Sequence, residues 1–497
     1  MFPRSSGILL HLTSLPGPYG VGSLGKTARD FVDFLASAGQ SYWQILPLCP
    51  TGQGNSPYMS PSSAAGNPWL IDLDLLAADG LLTWDELEGA RRWDPDRVDF
   101  AFLEATRLPL LRRAFRRLSE EQKKAIHLFC VEQEDWLPDY ALFMACHDKF
   151  NLPFYQWPDE TLVRRNKKAI DKYRRELSED VEFHTFLQYT FHTQWHALKE
   201  YANGKGVKII GDIPFYVSGD SVDVWVNPKL FQVDKDCHAK LVAGVPPDMF
   251  SEEGQFWGNP LYNWKAQEKD GYQWWCDRIR RCMAFYDVIR IDHFRGFDSY
   301  WEIPVDAASA KEGCWRPGPG MKLINAVRKA VPQAEFIAED LGDLTESAVQ
   351  FIKDSELPGM RVLTDAFNDL SGSSSFLPHH CVKGAVMYTG THDTPTFLQW
   401  LFSIATPDQR KYAMDYLRLG EKEGYGWGVI AGAWGSVCDL AIAPFQDVLG
   451  LGGDARMNTP GTSGTHNWSW RVRREALNGD VAHRLCHLTW LYGRLNR

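Results

Sequence analysis

The sequence of 497 residues predicts an α/β fold, a (β/α)₈ barrel with inserted, largely helical subdomains between barrel strands and no C-terminal β-sandwich domain. Three observations lead to this prediction. Eight short, β-rich runs recur along the chain, helical patterns lie between several of them, and the runs are almost continuously apolar. Strands that alternate with helices pair in parallel, and continuous apolar runs are typical of strands buried on both faces. Eight such units are the number that closes a barrel.

The eight runs define the predicted barrel strands. In chain order they are GILLHL (7–12), YWQILPL (42–48), VKIIGDIPFYV (207–217), YDVIRIDHF (286–294), EFIAEDL (335–341), MRVLTDAF (360–367), AVMYTGTHD (385–393) and LAIAPFQDVLG (440–450). Stretches between them, such as ARDFVDFLASAG (28–39) and MKLINAVRKAV (321–331), have the spacing of amphipathic helices. About 50 residues follow the eighth run and end in a helical pattern, so no β-sandwich is expected there.

The whole chain, 1–497, is therefore expected to be a single barrel with two insertions. About 158 residues separate the second run from the third, far more than a usual βα connection. We expect residues 75–180 to form an inserted helical subdomain whose alternating Arg, Lys and Glu residues are a solvated helix face. Residues 218–270 are expected to form a second insertion with an aromatic loop, GQFWGNPLYNW (254–264).

Composition excludes several classes of protein. The net charge is −10 and no long basic run occurs, so no nucleic-acid partner is expected. Ten cysteines are scattered without a C-x-x-C arrangement, which argues against a zinc ribbon and a disulfide framework. The start of the chain has too short an apolar run for a signal peptide, and no run approaches the roughly 18 apolar residues of a membrane span. A cytoplasmic protein without a membrane partner is expected.

Aromatic residues make up 13% of the chain, including 20 Trp. Most of these rings are expected to fill the core. Many, however, lie beside Gly, Pro and Asn in loop-like stretches such as 254–264 and THNWSW (465–470). Rings in loops are more typical of a recognition surface than of a core.

Four predicted strands carry an acid at or near the carboxyl end, where (β/α)₈ barrels place their chemistry. They are Asp212 in IIGDIPF, Asp292 in RIDHF, Glu339 in IAEDLG and Asp393 in GTHDT. One buried acid alone is often a satisfied structural group. A ring of carboxylates repels itself unless a ligand or a proton is bound there, so the four together indicate a functional site.

Paired carboxylates in a cleft rich in Trp and Tyr are what glycoside cleavage needs. In retaining enzymes one acid protonates the leaving oxygen and a second attacks the anomeric carbon, with the carboxyl groups about 5–5.5 Å apart. Neighbouring strands lie about 4.8 Å apart, so Asp292 and Glu339 can meet that separation. Arg290 lies on the same side of its strand as Asp292 and can keep this nucleophile ionised, whereas partial desolvation would suit Glu339 to acid catalysis. Strand alternation predicts that Asp340 and His293 point to the other side, and we interpret His293 as structural.

Three of these segments, RIDHFRG, IAEDLG and TGTHDT, resemble in this order the nucleophile, acid/base and transition-state-stabiliser segments of the α-amylase clan. Five longer stretches narrow the resemblance to the amylomaltase or disproportionating-enzyme family of 4-α-glucanotransferases. They are HLTSLPGPYGVGSLG (11–25), SPYMSPSSAAGNPWLIDL (56–73), GDIPFYVSGDSVDVW (211–225), GVPPDMFSEEGQFWGNPLYNW (244–264) and RMNTPGTSGTHNW (456–468). The resemblance runs from about residue 7 to about residue 470.

The resemblance implies a role for each matching residue. Asp292 matches the nucleophile, Glu339 the acid/base, and Asp393 the third acid, which holds sugar hydroxyls in the distorted ring. The residues implied in substrate binding are Arg290 and His392 at the central subsite, Asp212 and Tyr58 on the donor side, Ser56, Asn467 in the last βα loop, and Gln255 and Trp257 over the acceptor side. No functional residue is carried into the helical insertion.

The expected function is transfer of α-1,4-glucan segments from a maltodextrin, starch or glycogen donor to glucose or another α-glucan, with no cofactor and no metal. A sugar acceptor, rather than water, must then attack the covalent intermediate. The aromatic loop, with glycines at 254 and 258, is suited to close over that acceptor and exclude water. The alternative for this loop is a packed β-hairpin that covers the barrel.

Three other functions remain open from the sequence. The first is an α-glucan hydrolase of the same clan, although the missing sandwich and a third strand without an Asn-His ending favour the transferase. The second is a metal-dependent barrel enzyme, in which Asp292-His293 and His392-Asp393 would supply ligands at strand ends. The third is a glucan-binding protein without catalysis, which would need no protonated acid.

Overall fold

The computed structural model describes residues 2–92, 96–247, 252–462, 464 and 466–495. Its strands, in chain order, are β1 (Ser5–Leu9), β2 (Tyr42–Gln44), β3 (Lys208–Ile213), β4 (Leu241–Val245), β5 (Gln255–Pro260), β6 (Val288–Ile291), β7 (Ser299–Pro304), β8 (Cys314–Pro317), β9 (Phe336–Ala338), β10 (Met360–Val362), β11 (Val386–Tyr388) and β12 (Leu440–Pro444).

Eight of these strands form one parallel sheet that closes into a barrel. Their order is β10-β11-β12-β1-β2-β3-β6-β9. The two ends of the sheet meet at a parallel bridge between Ala338, which ends β9, and Gly359, which precedes β10. Every barrel strand overlaps one of the eight apolar runs, and the predicted (β/α)₈ barrel is confirmed. Strands such as β1 and β12 are buried at every residue, which explains why the runs do not alternate.

Helices surround the barrel. They are α1 (Lys26–Ser37), α2 (Leu73–Ala78), α3 (Trp84–Glu88), α4 (Phe100–Arg116), α5 (Glu120–Glu132), α6 (Leu137–Phe150), α7 (Glu160–Val163), α8 (Lys167–Glu176), α9 (Ser178–Gly204), α10 (Val222–Val226), α11 (Trp264–Lys269), α12 (Gln273–Phe285), α13 (Met321–Ala330), α14 (Glu346–Ser355), α15 (Phe397–Gln399), α16 (Pro407–Leu417), α17 (Tyr425–Gly435), α18 (Phe445–Val448) and α19 (Gly479–Leu491). The connection from β10 to β11, residues 363–385, is described throughout and contains a 3₁₀ turn but no α-helix.

Helices α2 to α9 all lie between β2 and β3 and extend from Leu73 to Gly204, beyond both ends of the helical subdomain that the sequence predicts over residues 75–180. Their apolar side chains belong to the same continuous core as the barrel strands. Helix α9 contributes most to this junction, since it buries Phe183, Phe191 and Trp195 and packs against both α6 and β3. The boundaries of the predicted subdomain stay a prediction, because the insertion and the barrel share one core.

A second, antiparallel sheet of order β5-β4-β7-β8 lies beside the barrel mouth. Strands β4 and β5 come from the predicted insertion 218–270, whereas β7 and β8 come from the connection after β6. Strand β4 pairs with β5 on one side and with β7 on the other. Two separate βα connections therefore build one sheet, which the sequence does not predict.

The N-terminal end of the barrel is closed by arginines. Arg494 is buried and donates hydrogen bonds to the carbonyl oxygens of Ser5 (2.8 Å), Trp434 (2.8 Å) and Cys438 (3.0 Å). Arg4 donates to the Tyr492 carbonyl oxygen at 3.0 Å. The segment after α19 is thus tied to the first residue of β1 and to the chain that enters β12.

The described residues after β12 contain α18 and α19 and no further strand. Within the described ranges, none of the helices combines the length and the apolar character that crossing a membrane requires. All ten cysteines are free thiols, and Cys314 on β8 is the one that is exposed.

Candidate active site

The four predicted acids lie at the carboxyl ends of barrel strands. Asp212 is in β3, and Asp292 and Glu339 directly follow β6 and β9, which are neighbours in the sheet. The register carries the last two acids to the same level, since the Glu339 amide N–H donates to the Ile291 carbonyl oxygen at 3.0 Å. Asp393 follows β11 by five residues, on the other side of the barrel.

One guanidinium links two of these acids. Nη1 of Arg290 lies 2.7 and 2.6 Å from the two carboxylate oxygens of Asp212 and 3.0 Å from Oδ1 of Asp292. Arg290 and Asp212 are both buried. The predicted contact between Arg290 and Asp292 is present, but the closer partner of the arginine is Asp212. Arg290 therefore braces β3 against β6 as well as contacting the acid at the end of β6.

The charge of Asp292 is set by opposing effects. Burial raises its pKa above the ordinary aspartate value, and the nearby carboxylate of Asp393 acts in the same direction. The guanidinium of Arg290 and the backbone N–H of His293 lower the pKa. The sequence shows the arginine beside Asp292, but it does not show the desolvation, which opposes the effect of the arginine on the pKa.

Glu339 is a carboxyl group that holds its proton near neutral pH. Burial raises its pKa to about 7, against the lowering effect of Arg290. Its Oε2 accepts a hydrogen bond from the His293 backbone N–H and its Oε1 from the Leu341 backbone N–H, both at 2.8 Å. These two bonds fix the direction in which the carboxyl group points.

Asp340 lies apart from this site. Its Oδ1 accepts from the Met360 backbone N–H at 2.7 Å, and its Oδ2 is 3.0 Å from Arg361 Nη1. Asp340 therefore connects β9 to β10, in agreement with the alternation that turns it away from Glu339.

Tyr58 and His392 form a polar layer beside the acids. The Tyr58 hydroxyl donates to Asp212 Oδ2 at 2.8 Å and lies 2.9 Å from Nε2 of His392. The rings of Tyr58 and His392 are stacked, with their centroids 5.3 Å apart. Burial lowers the pKa of His392, so the ring is neutral. Because the Tyr58 hydroxyl donates its hydrogen bond to Asp212, Nε2–H of His392 faces the Tyr58 oxygen. The same Nε2 lies 3.2 Å from Asp393 Oδ2.

Asp393 is held by the loop 456–468, in which the sequence predicts a role for Asn467 but for neither Asn458 nor Arg456. Its Oδ1 accepts from the Asn458 side-chain amide at 2.7 Å, and its carbonyl oxygen accepts from Arg456 Nη2 at 2.6 Å. Asn467 supports the same loop, because its Oδ1 accepts from the Thr459 backbone N–H at 3.1 Å. Asn458 and Arg456 thus orient the third acid.

A cleft of about 570 Å³ opens over these residues. Of the sequence-predicted residues, the following line it: Ser56, Tyr58, Gln255, Trp257, Asp292, His392, Asp393 and Asn467. Asp212 and Arg290 are buried beneath the cleft wall, and Glu339 is hydrogen-bonded to the backbone of His293, which does line it. The structure therefore gathers all the predicted site residues at one end of the barrel.

His293 contradicts the interpretation made from alternation. It lines the cleft instead of pointing to the other side. The reason is its backbone: His293 has φ 46°, the left-handed conformation, so the extended alternation ends at Asp292. Burial lowers the pKa of His293 to about 3, and its Nε2 is buried without a hydrogen-bond partner.

The aromatic loop is a strand with one face on the cleft. Residues 255–260 form β5, so the β-hairpin alternative describes its backbone, while Gln255, Phe256 and Trp257 line the cleft. The Trp257 ring meets His293 edge-on at 5.0 Å, and its Nε1–H donates to Gln255 Oε1 at 3.1 Å. Gly258 has φ 77°, which glycine adopts without strain. Residues 248–251, which precede β5 in the chain, lie outside the described residues.

Tyr216 is a further cleft residue that the sequence argument missed. It lines the cleft with its ring 6.2 Å from that of Trp257, and its buried hydroxyl has no hydrogen-bond partner.

Across the described part of the chain, no three or more His, Cys, Asp or Glu side chains are grouped so that they could hold a metal ion. The metal-dependent alternative therefore has no ligand set at the strand ends.

Several known proteins are similar to this chain over nearly its whole length. Residues 10–477 match the family described as 4-alpha-glucanotransferase. A 4-alpha-glucanotransferase of Clostridium butyricum is 44% identical over 488 residues, which cover 98% of this chain and 100% of the relative. A chloroplastic/amyloplastic 4-alpha-glucanotransferase of Arabidopsis thaliana is 41% identical over 99% of this chain and 86% of the relative. Among solved structures, an amylomaltase from Streptococcus agalactiae in complex with acarbose superposes with a TM-score of 0.96 at 41% identity, covering 99% of this chain and 100% of that one.

Proposed function

The chain belongs to the 4-alpha-glucanotransferase family, and we propose that it transfers α-1,4-glucan segments by a retaining double displacement through a covalent glucosyl–Asp292 intermediate. The observation that carries this mechanism is the pair of acids at the ends of neighbouring strands, of which one, Glu339, holds its proton near pH 7. Retaining glycoside chemistry needs one protonated and one ionised carboxyl group on the same glycosidic bond.

Asp292 is the proposed nucleophile. Its carboxylate attacks the anomeric carbon of the donor sugar, and the C–O bond to the leaving segment breaks. Arg290, 3.0 Å from Oδ1, favours the ionised form that the attack needs, although burial works against it. Asp212 takes part of the same positive charge, so the arginine holds the two acids in a fixed geometry.

Glu339 is the proposed acid and base. It gives its proton to the leaving oxygen in the first step and takes a proton from the acceptor hydroxyl in the second. The two backbone N–H groups on its oxygens hold the carboxyl group in one orientation. Its pKa of about 7 suits both directions of proton transfer at neutral pH.

Asp393 and His392 are proposed to hold the hydroxyl groups of the sugar at the central subsite. Asp393 lines the cleft and keeps Oδ2 toward His392, while Asn458 fixes its other oxygen. Hydrogen bonds to the ring hydroxyls that strengthen as the sugar distorts lower the barrier. Neutral His392 can donate one such bond without adding charge.

Transfer instead of hydrolysis requires that a sugar reaches the intermediate before water does. Trp257, Phe256 and Tyr216 give the cleft an aromatic wall next to His293. Aromatic faces bind the apolar face of a sugar ring and leave little room for free water. We therefore assign this wall to the acceptor.

The substrates proposed for this chain are an α-1,4-glucan donor and a sugar acceptor. The amylomaltase of Streptococcus agalactiae was solved with acarbose, which places a sugar-like ligand in a relative of the same fold. A maltodextrin, starch or glycogen donor follows from the family. The cytoplasmic location expected from the sequence stays a prediction, and one relative is described as chloroplastic/amyloplastic.

Incubation with maltotriose tests the proposed function. We expect a ladder of longer maltodextrins together with glucose, because each transfer lengthens one chain and shortens another. Product sizing over time checks this. Glucose and maltose alone, formed in proportion to total bond cleavage, would show the α-glucan hydrolase instead.

A further inference from the structure

A second cavity, outside the barrel cleft, lies on the flank of the molecule. It has a volume of about 420 Å³ and is bounded by the start of α6, by α10 and by the first turns of α12. We define it by Trp136 and Trp274 in its wall and by five carboxylates around them, and call it the flank pocket; the carboxylates are those of Asp135, Asp139, Asp223, Asp270 and Asp277. None of these residues is used by the proposed mechanism.

The two indoles are held rigidly. The Trp274 ring packs against Tyr262 and Trp275, with centroid distances of 5.7 and 5.5 Å, and the Arg278 guanidinium lies over it at 5.4 Å. Trp136 is nearly buried, and its Nε1–H donates to Gln133 Oε1 at 2.9 Å. Rigid, flat, apolar surface is available to a ligand with little loss of conformational entropy.

Most of the carboxylates of the flank pocket already have a cation. Arg281 lies 2.8 Å from Asp135 Oδ2, and Arg165 lies 2.8 Å from Asp139 Oδ2. Asp277 is paired with the Arg280 guanidinium.

Asp223 is held by a serine rather than by a cation. It accepts bonds from the backbone N–H and the hydroxyl of Ser63 at 2.8 and 2.6 Å. Its charge is therefore solvated in part by neutral donors.

The balance of carboxylates and arginines in the flank pocket favours a neutral ligand over a cation. The ion pairs neutralise most of the negative charge, so the attraction for an organic cation is weak. The paired side chains of Asp135, Asp139 and Asp277 nevertheless stay 57, 28 and 30% exposed and keep free lone pairs. Hydrogen-bond acceptors without net charge, beside flat aromatic rings, fit a neutral ligand that carries many hydroxyl groups.

The flank pocket and the barrel cleft share two chain segments. Tyr58 and Met59 line the cleft, and Ser62 and Ala64, on the same loop, line the flank pocket. Ser62 is three positions after Met59, so their Cα atoms are at most about 11 Å apart. The segment after β3 repeats the pattern, since Tyr216 lines the cleft and residues 222–227 border the flank pocket.

We propose that the flank pocket binds a segment of α-glucan chain and so anchors long donors beside the barrel cleft. This inference rests on the proposed function, because it takes the substrate class from it. Glucose units stack on the Trp274 indole and donate hydroxyl hydrogen bonds to the carboxylates of Asp135 and Asp277. Donors too short to reach the flank pocket do not use it.

The test compares a long and a short donor in the full-length enzyme. Trp274→Ala removes this half-buried ring, and we expect the apparent KM of the variant for amylose to rise by about three- to tenfold, the range of one lost stacking contact. The maltotriose reaction keeps its kcat/KM. Because Trp274 also packs on Tyr262, a second variant, Gln273→Arg, places a guanidinium between Asp270 and Asp277 without touching the core, and we expect the same pattern.

Trp84→Ala is the matched control, since Trp84 is 54% exposed on α3 and does not border the flank pocket. It should leave both reactions unchanged. Equal losses on amylose and maltotriose in both flank variants, or no loss on amylose in either, would overturn the proposal.

A binding titration in the Asp292→Asn background separates the ligand classes. We expect Trp274→Ala to weaken binding of maltoheptaose and to leave binding of spermidine unchanged; the reverse result would assign the flank pocket to a cation and refute the proposal. Wild-type activity on maltotriose tests the proposed function separately. If that activity is present and the amylose results do not differ, the flank pocket alone is wrong.

Discussion

Glu339 shows how opposing effects set the charge of a single buried carboxyl group. The two backbone N–H groups that bond its oxygens would by themselves favour the charged form, as would Arg290. Burial outweighs them and raises the pKa to about 7. The residue therefore keeps its orientation from hydrogen bonds and its proton from desolvation.

Replacing Glu339 by Gln should lower kcat by about 10²–10⁴-fold, the usual contribution of a general acid. The amide keeps the size of the side chain and one of its two acceptor oxygens, so glucan binding should persist. Turnover of maltotriose and a binding titration with maltoheptaose check the two expectations. Glu335→Gln, an exposed position just before β9, is the matched control and should keep full activity. A Glu339→Gln enzyme with near-normal kcat would remove Glu339 from its proposed role.

The rate of transfer should depend on pH through two groups. Above about pH 7 the activity should fall, because Glu339 loses the proton that the leaving group needs. On the acid side it should fall as Asp292 becomes protonated, at a pH above the ordinary aspartate range because burial raises that pKa. A pH profile of kcat/KM on maltotriose measures both limbs. Activity that increases steadily from pH 7 to pH 9 would contradict the assignment.

His293 should be sensitive to the shape of a substituting residue. Its φ of 46° suits Asn but not a β-branched side chain. We expect His293→Val to unfold at a lower temperature than His293→Asn, corresponding to about 1–2 kcal/mol. The same two substitutions at His127, exposed on α5, should differ little, since Asn and Val have similar helix propensity. Equal melting temperatures for the His293 pair would mean that the left-handed backbone is not required.

At the scale of elements, β5 combines two roles that the sequence left as alternatives. It is a paired strand of the second sheet, and it presents Trp257 to the cleft. Pairing with β4 holds the backbone that places Gln255, Phe256 and Trp257 along the cleft, and Gly258 follows with a φ of 77°.

Trp257→Ala should lower transfer more than hydrolysis, because it removes acceptor-side surface and opens room for water. We expect the ratio of transfer to hydrolysis products on maltotriose to drop about tenfold, equivalent to about 1.4 kcal/mol. Trp315→Ala, on β8 of the same sheet but outside the cleft lining, is the control for a general effect on the sheet. Equal loss of both reactions in Trp257→Ala would exclude the acceptor role.

The elements differ in how far the sequence determines them. The barrel strands were predictable because parallel strands buried on both faces leave continuous apolar runs. The second sheet was not, since β4 and β7 are paired across about 50 residues and no local signal encodes their register. The positions of Asp292, Glu339 and Asp393 near the carboxyl ends of strands were predictable from the barrel. Asn458 and Tyr216 lie on loops, and the path of these loops depends on tertiary packing.

At the scale of the whole molecule, the two ends of the barrel have different roles. The acids, the cleft and the second sheet lie at the carboxyl ends of the strands, and the arginines that bind the entry to β1 and β12 lie at the opposite end. Residues at the opposite end of such barrels serve stability rather than catalysis. The sequence predicts the first arrangement, but it gives no sign of the second, because most hydrogen bonds of Arg494 go to carbonyl oxygens, which every residue type provides.

Arg494→Ala should destabilise the fold by at least about 3 kcal/mol, because several buried carbonyl oxygens lose a charged donor. At temperatures where the variant stays folded, its kcat/KM on maltotriose should match the wild type. Thermal unfolding and steady-state kinetics measure the two quantities. Arg116→Ala, at an exposed position on α4, should change neither. A loss of activity in folded Arg494→Ala would show that the closed end also acts on the site.

The exposure of Cys314 makes the second sheet open to labelling. Nine other thiols are buried or half-buried, so a maleimide fluorophore attached under native conditions reacts first on β8. The reaction needs a mildly alkaline buffer, since partial desolvation of the sulfur and the nearby Glu302 carboxylate raise the pKa of the Cys314 thiol. A dye at this position shares a sheet with Trp257, and its emission would report acceptor binding in real time without any engineered cysteine.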